Sequence, residues 1–151
     1  MTNSARLAEL GIELPQVVAP LAAYVPAVRT GNLVYTAGQL PISGGELLAT
    51  GKVGAEVSAE QAKELARQCA LNALAAIDSV AGIDAVVRVV KVVGFVASAP
   101  GFDGQPGVIN GASELFGEIF GDNGAHARSA VGVSELPRNA PVEVEVIAEV
   151  S

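Results

Sequence analysis

Two rhythms of apolar and polar positions divide this chain into elements: strict alternation in some stretches, recurrence at three or four residues in others. The sharpest alternation lies in residues 142–150. There Val142, Val144, Val146, Ala148 and Val150 share one face of an extended strand, while Glu143, Glu145, Ile147 and Glu149 share the other. Just upstream, Val131 and Val133 take one face and Arg128, Ala130, Gly132 and Ser134 the opposite one. The turn-rich break at 134–141 joins the two runs as strand, short loop and strand, which predicts a hairpin. If both apolar faces enter one core, Arg128 and the glutamates lie together on the far side of the sheet. That grouping is either a solvated surface with a cross-strand ion pair or a site for an anionic small molecule.

The earlier chain supplies the rest of a sheet and its cover. Residues 3–14 read as a short helix capped by Asn3 or Ser4 and stopped at Gly11. Residues 24–41 contain a hairpin turning at Thr30-Gly31-Asn32, and Gly38 interrupts its second strand or lets another backbone come close. Residues 46–50 form a short strand. Ser58-Ala-Glu-Gln61 is a capping box opening a helix over 59–81, with Leu65, Cys69, Ala73, Ala76, Ile77 and Val80 as its buried stripe. Residues 86–97 are almost continuously apolar, as in a central strand covered on both faces. A second main helix spans 108–120. The order predicts an α+β domain with about six strands in a mixed sheet and both main helices on one face. The other face, expected to be small or charged, is left without cover, and packing against further copies of the chain would supply it.

Composition narrows the chemistry. The 151 residues suffice for one domain with a real core. No apolar run approaches the roughly 20 residues of a membrane span, and no secretory leader is recognisable, so the expected location is cytoplasmic. A single cysteine, Cys69, and a single histidine, His126, speak against disulfides and zinc sites; both read as structural residues. A net charge of −7 with scattered basic residues argues against nucleic acid. Phosphate loops, dinucleotide fingerprints and nucleophile elbows are missing from the sequence.

Tyr24, Gly31-Asn-Leu-Val-Tyr-Thr-Ala-Gly-Gln-Leu-Pro41, Asn110, Ala127-Arg-Ser-Ala-Val131, Leu136-Pro137 and Val142-Glu-Val-Glu-Val-Ile-Ala148 together resemble the Rid (YjgF) family, whose members are also called endoribonuclease L-PSP or translation inhibitors. Residues 1–19, containing Arg6-Leu-x-x-Leu-Gly-Ile-x-Leu-Pro15, look like the extension of its longer branch. The resemblance implies a chorismate-mutase-like fold in one domain over 1–151, a homotrimer around a barrel of packed sheets, and ligand clefts between subunits. It implies hydrolysis of 2-imino or enamine acids to 2-keto acids and ammonia, with neither metal nor organic cofactor. By position, Arg128 matches the arginine that holds the substrate carboxylate and Glu143 a glutamate that positions or activates water. Tyr24 and Asn110 match cleft-lining residues, and Gly38 and the backbone around Ala130 would shape the pocket. Ala37 stands where the family often has Ser, Ala130 where it has Cys, and His126 where a Pro commonly precedes Ala-Arg.

Two readings of the site follow. One is an imine deaminase; the other is a trimer that binds small carboxylate metabolites without turning them over. Ribonuclease activity rests on the family's name alone.

Overall fold

The computed structural model describes residues 1–20 and 22–151. Its main sheet is built from β1 (Ala27–Thr30), β2 (Leu33–Thr36), β5 (Val86–Ala97), β6 (Ala127–Val133) and β7 (Val142–Val150), in the order β1-β2-β7-β5-β6. Neighbours run antiparallel except β5 and β6, which are parallel. Two short strands, β3 (Ile42–Ser43) and β4 (Glu46–Leu47), pair with each other only, across Gly44 and Gly45 at φ 61° and 81°. The main sheet therefore has five strands rather than about six, because that tight glycine turn folds residues 42–47 back on themselves.

Among the described residues there are three α-helices: α1 (Asn3–Glu9), α2 (Ala59–Ala81) and α3 (Gln105–Phe120). Thr2 rather than Asn3 or Ser4 caps α1, its hydroxyl accepting from Ala5 N at 3.1 Å. Asn3 and Ser4 are engaged elsewhere. The Asn3 amide donates to the carbonyls of Ile83 and Val86, and Ser4 donates to the Asp84 carboxylate from both its N and its hydroxyl. These bonds dock α1 against the turn that leads into β5. Ser58 caps α2 as expected, accepting from Gln61 N at 3.1 Å. α3 begins earlier than its apolar rhythm, since Pro106 is tolerated in a first turn whose N–H groups have no helical partner anyway.

α2 lies over β2 and β7, and α3 over β5 and β6, so both main helices cover one face of the sheet. The core sits between these layers, with Leu74, Ile77, Ile109, Leu115 and Phe116 fully enclosed. The helices approach closely at Gly111, where a Cβ would fall 2.0 Å from the Lys63 carbonyl oxygen. Cys69 is buried on the α2 stripe. Val80, placed on that stripe by spacing, is largely exposed in the last turn.

The predicted hairpin of the last third does not exist. β5 lies between β6 and β7: the strand–helix–strand unit β5-α3-β6 requires a parallel return, and β7 takes the other flank of β5. This also reverses the faces. Val92 of β5 is buried under the helices and stands beside Arg128 in register, so Arg128, Ala130 and Gly132 point to the helix side and Val131 to the open side. The open face is more apolar than expected. Val28, Tyr35 and Val131 are 53%, 42% and 44% exposed, and Val93, Phe95 and Ile147 are only partly covered there. β5 is thus central to the sheet yet roofed on one side only.

Candidate active site

The residues singled out by sequence fall into two groups on opposite faces of the sheet. Glu143 alternates with Val142 and Val144, both buried under α2, so its carboxylate stands on the open face. β2 stops at Thr36, whose hydroxyl takes the place of a backbone acceptor by receiving Val146 N at 3.0 Å. Pairing resumes at Gln39 and Val144, and the chain between them passes directly over Glu143. Gly38 sits at that passage. A Cβ there would lie 2.3 Å from Glu143 Oε1, so the glycine is needed for the space of a carboxylate rather than for a positive φ. Tyr24 lines the same crevice as Gly38 and Gln39.

Burial raises the Glu143 carboxyl above the ordinary carboxylate range, and the Glu145 charge on the same face adds to the rise. Among the described residues, no donor reaches the Glu143 carboxylate to oppose this. The Cys69 thiol lies on the helix side. Burial pushes it up first and the nearby Glu143 charge second, which keeps it a protonated core residue.

The second group lies at the β6 edge. Arg128 Nη1 donates to Asn110 Oδ1 at 2.8 Å and to Ser113 Oγ at 3.2 Å, both on α3. Ser113 Oγ lies 2.8 Å from His126 Nε2, and His126 Nδ1 lies 2.6 Å from the Gly124 carbonyl oxygen. Phe116 meets the imidazole edge-on, ring centres 5.9 Å apart. Among the described residues nothing receives from Arg128 Nε or Nη2, so the edge of the guanidinium that can grip a carboxylate in two parallel bonds is open. Ala130 stands next along this face, packed against the core and contributing only a methyl group.

The expected meeting of Arg128 with the glutamates thus does not occur within one chain, because β6 presents its arginine to α3 while β7 presents its glutamates to the opposite side. Sequence reasoning also passed over Ser113, Thr36 and Asn72, and read His126 as merely structural. Ser113 follows Asn110 by three positions on one helix, and His126 precedes Arg128 by two in an extended run; both spacings carried a signal. Thr36 and Asn72 carried none. Asn72 is buried in α2, where Nδ2 donates to the Leu40 and Ile42 carbonyls and Oδ1 accepts from Gln68, tying the Gly38–Ile42 segment to the helix.

Among the described residues no helix is long and apolar enough to cross a membrane, and no His, Cys, Asp and Glu cluster could hold a metal ion. The family model described as Endoribonuclease L-PSP matches residues 15–150. Protein TCP17 of Trypanosoma cruzi is 41% identical over 150 residues, covering 98% of this chain and 94% of its own. A 2-iminobutanoate/2-iminopropanoate deaminase of Escherichia coli is 35% identical over 132 residues, covering 86% of this chain and 89% of its own. The crystal structure of the Agrobacterium tumefaciens protein Atu1372 superposes with a TM-score of 0.90 at 44% identity, spanning 99% of this chain and 92% of that one.

Proposed function

The chain belongs to the endoribonuclease L-PSP family, also known as the Rid (YjgF) family, and from that premise we propose that it hydrolyses small 2-imino acids to 2-keto acids and ammonia in clefts between the protomers of a homotrimer. The observation that carries this reading is the split site. One face holds an arginine with an open carboxylate-gripping edge, and the other holds a partly desolvated glutamate over a glycine. A single protomer cannot bring them together. Two protomers can, if the β6 edge of one meets the open face of the next, and the exposed Val28, Tyr35 and Val131 give that face a reason to be covered.

In such a cleft Arg128 binds the substrate carboxylate in a bidentate fork and sets the imine carbon against Glu143 of the neighbouring protomer. Ionised Glu143 takes a proton from water as the oxygen attacks the protonated imine carbon. The carbinolamine then receives that proton on nitrogen. As the C–N bond breaks and ammonia leaves, the again ionised Glu143 takes the hydroxyl proton, the keto group forms, and the proton passes to solvent or ammonia. A protonated imine is already a strong electrophile, so the residues need only orient it and move a proton. The raised Glu143 carboxyl suits this task, because a base is most effective when its pKa approaches the working pH.

The test is a coupled assay in which a pyridoxal-phosphate-dependent dehydratase generates iminopropionate or iminobutyrate and keto-acid release is followed. The protein should accelerate release, and Arg128→Ala should lose about 100-fold in kcat/KM. Release no faster than in buffer would exclude the activity. The methyl-only lining at Ala37 and Ala130 favours a second reading, a trimer that holds small carboxylates without turnover. Calorimetry separates the two: keto-acid binding without imine hydrolysis supports the second.

A further inference from the structure

Arg128 is held by a chain of hydrogen bonds whose polarity can be worked out from one end. The Gly124 carbonyl oxygen can only accept, so His126 Nδ1, 2.6 Å away, carries the proton. In the neutral imidazole Nε2 is then an acceptor, and its partner at 2.8 Å, Ser113 Oγ, must donate to it. That leaves the oxygen's lone pairs facing Arg128 Nη1, which can only donate, at 3.2 Å. With a neutral imidazole, every donor meets an acceptor in one sense only: Arg128 to Ser113, Ser113 to His126, His126 to Gly124. A second bond, Arg128 Nη1 to Asn110 Oδ1 at 2.8 Å, fixes the same nitrogen from the neighbouring turn of α3.

The far end of the chain is rigid. A Cβ at Gly124 would fall 2.2 Å from the Phe116 carbonyl oxygen, so the backbone there is pressed onto α3 and cannot bear a side chain. Phe116, fully buried, holds the imidazole edge-on. The histidine is therefore locked on two sides before it reaches the serine.

We propose that Ser113 and His126 are positioning residues for Arg128: neutral His126, protonated on Nδ1, polarises the Ser113 hydroxyl so that its lone pairs hold the guanidinium with Nε and Nη2 turned toward the ligand. The hydrogen-bond polarity is independent of any activity, whereas the effect on ligand affinity rests on the carboxylate-binding role given to Arg128 above.

The two parts are tested separately on the full chain. His126 is the only histidine, so its imidazole nitrogens give unambiguous signals in two-bond 15N–1H correlation spectra at pH 8. The Nδ1–H tautomer is expected in the wild type; the Nε2–H tautomer, or rapid averaging of the two, would overturn the proposal. Arg128, identified by loss of its signals in Arg128→Lys, should show slowed guanidinium rotation that is lost in Ser113→Ala and in His126→Leu. His126→Gln, whose amide oxygen can replace Nε2 as acceptor, should restore it. An Arg128 signal unchanged in Ser113→Ala would also overturn the proposal.

The affinity arm uses pyruvate. Ser113→Ala and His126→Leu should bind it about fivefold more weakly, the effect of one lost hydrogen bond, with His126→Gln within about twofold of wild type. Wild-type protein that shows the tautomer and the slowed Arg128 but binds no pyruvate would uphold the relay and count against the carboxylate site. Pyruvate binding equally tight in all variants would refute the positioning role.

Discussion

The β6 edge and the open face over β7 hold the two halves of the candidate site in opposite conditions. At the β6 edge Arg128 is saturated on one side: Asn110 and Ser113 take its Nη1, and His126 and Gly124 take up the slack behind. On the open face Glu143 receives no donor among the described residues, is partly desolvated, and stands beside another carboxylate, Glu145. One half is built and waiting within the protomer; the other is left with an unbalanced charge. Polar contacts orient the cation while the anion stays poorly solvated, the conditions that the proposed carboxylate binding and base catalysis would require.

The contrast can be broken most severely at the carboxylate. Glu143→Gln should lower kcat by about 1,000-fold in the coupled imine assay, within the range for loss of a general base, while pyruvate binding stays near wild type. A fall in affinity with unchanged kcat would assign Glu143 to binding instead.

Gly38→Ala should come next. Its methyl would meet the end of the Glu143 side chain, which can swing aside, so the fold should tolerate it. The displaced carboxylate should nonetheless lose about 100-fold in kcat, the scale of a small misplacement of a reacting group. Matching thermal melts with unequal turnover would locate the effect in the site.

Mixing the two kinds of inactive subunit tests whether the halves belong to different protomers. Arg128→Ala and Glu143→Gln chains, unfolded together and refolded, should recover about a quarter of wild-type activity, since a shared cleft draws its arginine and its glutamate independently. A site contained in one protomer would recover nothing.

The smallest effect concerns stability. Because Glu143's folded carboxyl is raised, the folded state binds its proton more tightly than the unfolded chain does. The favourable contribution is full below the ordinary glutamate range and is lost as pH rises through the folded pKa. Glu143→Gln should therefore melt higher than wild type at neutral pH, and the gap should close under acid conditions. A gap independent of pH would mean that the gain comes from packing rather than from charge.

Much of this was legible before any coordinates. The 59–81 helix and its Ser58 cap, the 86–97 strand and the Gly31 turn were each announced by local periodicity or turn chemistry. The two short strands were less so, because two glycines at positive φ can close a private hairpin as easily as extend a sheet. The candidate site residues could also be named one by one. Their arrangement was not. The short loop 134–141 looked like a hairpin connection, and only the parallel return through α3 revealed that β5 intervenes and that Arg128 faces the helices. Gly38 invited a backbone explanation and turned out to accommodate a carboxylate.

The sequence by itself determined which segments are helical or extended and which side chains share a face, because those depend on neighbours within a few positions. Tertiary structure alone decided which face each strand turns to the core, which strands adjoin, and which polar groups meet across the chain. Arg128, Asn110, Ser113 and His126 become a unit only when β6 pairs with β5 beneath α3. Strand order and facing are settled by packing between distant segments, and period-two patterns are unchanged when a strand is turned over.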